Sequence, residues 1–189
     1  AVIIGIEKYQ RTVGALYARR DAQSVKEYMQ KLLEVPQENI FLLLDEEATK
    51  TTLQVLLEER LPRRLKPGDQ LFVYYAGHGL ADPRTSQPYL LPSDADPQSI
   101  QLSGYSAEAF YGSLGRLKEQ RVVVFLDACF SGIVGRQQQV QPLLLAARPL
   151  VLTVDDPALK YSNVTVLAAA QHDQVSNSDP ETGHGLFTY

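Results

Sequence analysis

The chain has 189 residues, 44% hydrophobic and 21% charged, which is enough apolar material for one well-buried core and too little length for two independent domains of typical size. Its 18 Lys and Arg against 22 Asp and Glu leave a net charge of −4, and no basic cluster is available to neutralise a phosphate backbone, which argues against nucleic acid as a partner. A lone cysteine makes no internal disulfide, and no apolar stretch approaches the roughly 20 residues that span a bilayer. With no secretory signal pattern at its start, the chain is expected in the cytoplasm, away from membranes.

Taken in chain order, Ala1-Val2-Ile3-Ile4-Gly5-Ile6 reads as a first buried strand, uninterrupted by charge. Asp21 to Leu33 places apolar residues at Ala22, Val25, Tyr28, Met29, Leu32 and Leu33, a helical spacing that Val35-Pro36 stops. Asn39 to Leu44 is a second apolar strand. Thr51 to Leu65 repeats the helical pattern through Leu53, Leu56, Leu57 and Leu61, after cap-forming residues between Thr49 and Thr52. Pro67-Gly68-Asp69 turns the chain into a third strand over 70–75. A helix over Ser106 to Glu119 leads to a fourth strand at 121–127, and a fifth, Val164 to Ala170, follows a long connection with no clear period. Nearly continuous apolar strands alternating with helical patterns predict an α/β fold with a mostly parallel sheet and helices on both faces. The first residue already lies in an apolar run, and Gly185-Leu186-Phe187-Thr188-Tyr189 resembles the opening of a further element, so the chain is expected to be a segment of a longer protein.

Two strand ends carry chemistry. The run Leu71-Phe72-Val73-Tyr74-Tyr75 ends in Ala76-Gly77-His78-Gly79, and Val122-Val123-Val124-Phe125-Leu126 ends in Asp127-Ala128-Cys129-Phe130-Ser131-Gly132. Parallel strands share a carboxyl end, where open α/β sheets place their sites. An imidazole and a thiol emerging there form a nucleophile with its base: Cys129 would attack a carbonyl as thiolate and His78 would manage the proton. The backbone N–H groups of Gly79 and Cys129 are the candidate donors for the oxyanion. The bland alternatives are a small buried thiol and a satisfied polar tip; the coincidence of both residues at neighbouring strand ends, with glycine close by and a crossover between them, favours catalysis. His172 and His184 compete for the base role; Gly183-His184-Gly185 follows a polar loop rather than a strand, and His78 is preferred. Ser131 as a hydrolase nucleophile lacks the glycine-x-serine-x-glycine elbow.

Those two motifs, together with Ile4-Gly5-Ile6-Glu7-Lys8-Tyr9, Ala18-Arg19-Arg20-Asp21-Ala22 and Gly183-His184-Gly185-Leu186-Phe187-Thr188, resemble the caspase-like cysteine peptidases over nearly the whole chain, specifically the metacaspase and bacterial orthocaspase branch. The resemblance implies a three-layer caspase-hemoglobinase fold spanning 1–189, with a p20-like core at 1–132, a connecting loop at 133–163 and the start of a p10-like part at 164–189. It also implies a cysteine endopeptidase using a Cys129–His78 dyad. Asp127 stands where animal caspases have glutamine, and with Asp21 it is implied to line the pocket for the substrate residue before the cut bond. Two carboxylates there would select arginine or lysine and repel aspartate. Ala76 stands where many metacaspases have serine and Ala18 where some have cysteine, which removes polar groups from that pocket.

An enzyme of that preference could cut itself at Arg136, Arg148 or Lys160, all in the long connection. The loop Gln171 to Thr182 is expected to wall the cleft, with Asp173 a weaker contact to a basic side chain. No cofactor is expected. Several metacaspases require calcium, and Ser93, Asp94 and Asp96 form an acidic turn, but no metal is assigned to it because aspartates in proline-bounded turns commonly serve the turn itself. The expected partners are protein or peptide substrates with Arg or Lys before the cut bond, and regulatory domains flanking this one. A catalytically silent scaffold of the same fold is the alternative; it would need neither dyad residue.

Overall fold

The computed structural model describes residues 1–118, 120–128, 133–134, 141–142, 160–168, 178–179 and 184–185. Strand β1 (Val2–Gly5) is fully buried and leads through a loop to helix α1 (Ala18–Lys31). Strand β2 (Phe41–Leu44) is followed by α2 (Lys50–Gln54), a π-helical segment (Val55–Arg60) and α3 (Leu61–Arg64), which run on as one rod. The π segment has a local cause. Pro62 lacks an N–H for the carbonyl four residues earlier and its ring crowds that carbonyl, so the helix widens and the Leu61 N–H reaches back five residues to Leu56. Thr49 caps the rod as the sequence predicts, its hydroxyl accepting the Thr52 N–H at 3.2 Å.

Strand β3 (Gln70–Ala76) is followed by three short strands, β4 (Gly79–Ala81), β5 (Pro88–Leu90) and β6 (Tyr105–Ser106), with α4 (Ile100–Ser103) before the last. Helix α5 (Ala107–Gly115) then crosses to β7 (Arg121–Asp127). Beyond β7 the described elements are β8 (Ile133–Val134), β9 (Gln141–Pro142), β10 (Val164–Ala168), β11 (Ser178–Asp179) and β12 (His184–Gly185). The principal sheet is parallel throughout, in the order β10-β7-β3-β1-β2.

Strand alternation divides the core into two layers. Val2, Ile4, Val73, Tyr75, Val122, Val124 and Leu126 pack against Leu53, Leu57 and Leu61 of the rod and Phe110 and Leu114 of α5. Ile3, Tyr74 and Ala76 face Ala18, Ala22, Val25 and Met29 of α1, whose spacing of four, three and four residues makes one helical stripe. The expectation of a parallel α/β sheet covered on both faces therefore holds. At Gly5 the helix approaches so closely that an added Cβ would meet the Cβ of Ala22 and lie 2.5 Å from the Ala18 carbonyl oxygen. Helix α1 is thereby seated on the carboxyl end of β1.

Differences from the sequence expectations lie at ends and in small elements. Helix α1 begins three residues before Asp21, at Ala18. The crossover helix spans Ala107–Gly115, not Ser106 to Glu119: Ser106 caps it, its hydroxyl accepting from the Ala109 N–H at 3.1 Å, while Glu119 lies outside the described residues. Its carboxyl end is closed by Asn163, whose side-chain amide donates to the Leu117 carbonyl at 2.8 Å, and by Tyr161, whose ring occupies the space beside Gly115 that a side chain would fill. The antiparallel sheet β4-β5-β6 was not expected at all.

Candidate active site

One transverse row of residues closes the carboxyl edge of the parallel sheet. Leu44, Gly5, Ala76 and Asp127 are mutually in register on β2, β1, β3 and β7. Two hydrogen bonds continue the pairing past that row, from the Ile6 N–H to the Ala76 carbonyl at 2.9 Å and from the Gly77 N–H to the Asp127 carbonyl at 3.3 Å. His78 lies two residues beyond Ala76, and in sequence Cys129 lies two beyond Asp127. Neighbouring parallel strands therefore lead toward both dyad candidates, although Cys129 itself lies outside the described residues.

His78 is 7% exposed, and the loop between β1 and α1 holds it from two sides. Its ring stacks on Tyr9, with centroids 4.9 Å apart and planes at 27°, and Nε2 lies 3.0 Å from the Val13 carbonyl oxygen. A carbonyl only accepts, so Nε2 carries a proton in this bond, and in the neutral ring Nδ1 is left as the basic nitrogen. Burial depresses the imidazole pKa below its ordinary value; the carbonyl groups of Val13 and Gly14 pull the other way and do not cancel the shift. The ring is consequently neutral near pH 7 and able to accept a proton.

The loop is itself anchored at its start. Asp45, fully buried just after β2, accepts the N–H groups of Glu7 at 2.8 Å and Lys8 at 3.0 Å through one carboxylate oxygen. Its other oxygen takes the Arg19 guanidinium at 2.6 Å. Further along, the Gln10 N–H donates to the Ser93 carbonyl at 2.9 Å and the Ala15 N–H returns to the Glu7 carbonyl at 3.0 Å. Gly14 passes so close to that carbonyl that a Cβ would lie 2.6 Å from its oxygen. Tyr9 and Val13 are thus delivered to His78 by a loop closed on itself.

The ladder between β4 and β5 bears on the oxyanion donors. The bonded contacts Leu91 N–H to His78 carbonyl (3.0 Å) and Asp82 N–H to Gln87 carbonyl (2.9 Å) set the phase of this antiparallel pair. Gly79 and Leu90 therefore face each other as a non-bonded pair, which directs the Gly79 N–H away from β5. That donor is not consumed by the ladder, as an oxyanion role requires.

Asp21 and Asp127 are both buried, at 2% and 7% exposure. Asp127 has the strand parity of Phe125, which packs in the α1 layer, and Asp21 flanks the α1 stripe in its first turn. Both carboxylates therefore belong to the same face of the sheet at its carboxyl end. Ala18 and Ala76, the two departures from the metacaspase pattern, are buried in that same layer.

Of the proposed processing residues, Lys160 is exposed and 3.7 Å from Glu108, whereas Arg136 and Arg148 lie outside the described residues. Ser131, His172, Asp173 and most of the loop Gln171 to Thr182 also lie outside them. His184 belongs to β12, paired with Asp179 of β11, apart from the principal sheet. In the acidic turn, Asp94 accepts the Lys50 N–H at 2.9 Å, and Asp96 accepts the Gln98 N–H at 2.9 Å with Arg11 at 3.5 Å. Among the described residues no group of three or more His, Cys, Asp and Glu is placed to hold a metal ion, and no helix is long and apolar enough to cross a membrane.

Sequence reasoning missed Asp45, Val13 and the contacts of Tyr9 and Tyr75. Tyr9 and Tyr75 stood inside the quoted motifs, which was the one available signal; Val13 acts through a main-chain carbonyl, and nothing in the sequence distinguishes the Asp45 carboxylate from the acidic residues beside it.

A family model described as "Caspase domain" matches residues 1–189. Among solved structures, the chain is similar to a crystal structure of a Geobacter sulfurreducens protein determined as a structural-genomics target. The TM-score is 0.66 at 16% identity, over 99% of this chain and 77% of that one, a likeness of fold. The comparison with curated proteins found no match.

Proposed function

We propose, from the premise that the chain belongs to the caspase domain family over residues 1–189, that it is a cysteine endopeptidase of the metacaspase or orthocaspase kind that cuts after arginine or lysine. The observation that carries this reading is the state of His78: buried, with Nε2 committed to the Val13 carbonyl and Nδ1 left basic, at the end of the strand paired with the one that leads to Cys129.

In the proposed reaction His78 takes the Cys129 thiol proton and the thiolate attacks the carbonyl carbon of the peptide bond. The resulting oxyanion is met by the N–H groups of Gly79 and Cys129. The carbon–nitrogen bond then breaks as the imidazolium returns its proton to the leaving amine. Water gives a proton to His78 as it adds to the thioester; the carbon–sulfur bond then breaks, the acid product leaves and the imidazolium proton returns to the Cys129 sulfur. No step calls for a redox or organic cofactor. Asp21 and Asp127 select the substrate side chain: two buried carboxylates on one face favour a guanidinium or ammonium and repel a carboxylate. The aspartate at 127, in place of the animal caspase glutamine, supports the metacaspase assignment.

Self-processing is proposed at Arg136 or Arg148 in preference to Lys160. The residues after Lys160 are docked, with Tyr161 against Gly112 and Gly115 and Asn163 closing α5, so cleavage there would require that segment to leave its seat. The 133–163 connection, a p10-like continuation and flanking regulatory domains complete the proposed organisation.

Fluorogenic peptides ending in arginine, lysine or aspartate test the function on purified protein, with and without calcium, beside Cys129→Ala and His78→Ala. The proposal expects turnover of the basic peptides alone and none in either variant. Turnover of the aspartate peptide would overturn the specificity; no turnover of any peptide would leave a silent domain.

A further inference from the structure

At the position where β4 and β5 begin to pair, the ladder is interrupted by two tyrosine hydroxyls. His78 and Leu91 form a bonded antiparallel pair, which ordinarily exchanges two N–H to carbonyl hydrogen bonds. One is made, from Leu91 to His78 at 3.0 Å. The other is replaced: the His78 N–H donates to the Tyr9 hydroxyl at 2.7 Å, and the Tyr75 hydroxyl reaches the Leu91 carbonyl at 3.0 Å and the His78 carbonyl at 2.9 Å. The Tyr9 and Tyr75 hydroxyls lie side by side over Gly77. Each hydroxyl has one hydrogen. The His78 N–H donates to Tyr9, and the Tyr75 hydrogen is directed to the two carbonyls.

Gly77 leaves the room for this insertion. A Cβ there would lie 2.7 Å from the Tyr9 hydroxyl and 3.1 Å from that of Tyr75. Tyr9 therefore touches His78 twice, through its hydroxyl on the main chain and its ring on the imidazole, and no other described side chain is seen to do both.

We infer that Tyr9 is a positioning residue for His78, and that with Tyr75 it sets the backbone and ring orientation from which the imidazole serves Cys129. The inference rests on the dyad reading for its catalytic consequence but not for its structural content. A ring held by a stacked face and a fixed main chain keeps Nε2 on Val13 and so keeps one tautomer. A ring released from Tyr9 turns, hydrates and samples both tautomers.

The test combines steady-state kinetics on the arginine peptide with nitrogen-resolved NMR of the His78 ring in Tyr9→Phe, Tyr9→Leu and Tyr75→Phe proteins. Tyr9→Phe keeps the stack and removes the acceptor of the His78 N–H; a fall in kcat of roughly tenfold at nearly constant KM is expected, with the Nε2-protonated tautomer retained. Tyr9→Leu removes both contacts; a fall of roughly a hundredfold, a mixed-tautomer signal and a His78 pKa moved up toward the ordinary 6.5 are expected. Tyr75→Phe is expected to match Tyr9→Phe. An unchanged His78 tautomer and pKa in Tyr9→Leu would overturn the inference, even if melting temperature or activity fell, because the loss would then be one of packing. If wild type turns over no peptide, the peptidase proposal fails, and the NMR comparison still decides whether Tyr9 positions His78.

Discussion

Removing the Asp45 carboxylate should cost more than any surface charge change, and the amount follows from its contacts. Its side chain is 1% exposed, and one oxygen satisfies two main-chain N–H groups at 2.8 and 3.0 Å while the other meets Arg19 at 2.6 Å. It also sits at φ 47°, a left-handed conformation that asparagine tolerates and alanine disfavours. Asp45→Ala orphans two N–H groups at about 1–3 kcal/mol each and adds backbone strain of about 1 kcal/mol, for an expected loss of about 3–7 kcal/mol. Asp45→Asn keeps an acceptor for both N–H groups and the backbone preference; it loses the charge-assisted contact to Arg19, which is 44% exposed and can turn to water, so about 1–2 kcal/mol is expected. Urea unfolding followed by circular dichroism measures both, provided the m-value is unchanged. Both variants within about 0.5 kcal/mol of wild type would refute the anchoring role. Acid titration adds a second signature. Burial pushes the Asp45 carboxyl pKa up, but Arg19 and the two N–H groups outweigh burial and hold it below 3.8. A depressed folded pKa means stability present above 3.8 and lost as pH falls through the folded value, a component that Asp45→Asn should lack.

Gly5→Ala should lower stability by about 2–3 kcal/mol, because the new methyl meets the Ala18 carbonyl, which is backbone and cannot swing aside; a melting temperature equal to wild type would contradict the close seating of α1. Gly115→Ala should loosen Tyr161 and with it the entry to β10, and faster limited proteolysis after Lys160 than in wild type is the expected sign, equal rates the contrary one. The acid limb of kcat/KM on the arginine peptide should fall below pH 6.5, since burial lowers the His78 pKa and neutral imidazole persists to lower pH; a limb above 6.5 would mean that the ring is not buried as described.

The strands of the parallel sheet were legible because each is a short unbroken apolar run, a pattern that burial on both faces requires; β7 was placed at its observed limits. The β4-β5-β6 sheet was not, because strands of two or three residues such as Gly79-Leu80-Ala81 are too short to show a period. His78 was legible as a residue type at a strand end. What holds it was not: Tyr9 and His78 are 69 positions apart and meet through a hydroxyl and a main-chain N–H, while Val13 contributes only a carbonyl that every residue possesses. Asp45 reads in sequence as one more acidic residue beside Glu46 and Glu47, and only the fold distinguishes the carboxylate that turns inward.

The most direct measurement on the central claim is covalent: incubate the protein with an arginyl chloromethyl ketone and locate the adduct by mass spectrometry of the digested chain. The account predicts stoichiometric alkylation of Cys129 in wild type, greatly slowed labelling in His78→Ala, and competition by an arginine peptide but not by an aspartate peptide. An unmodified Cys129, or one alkylated at the same rate whether or not His78 is present, would contradict it.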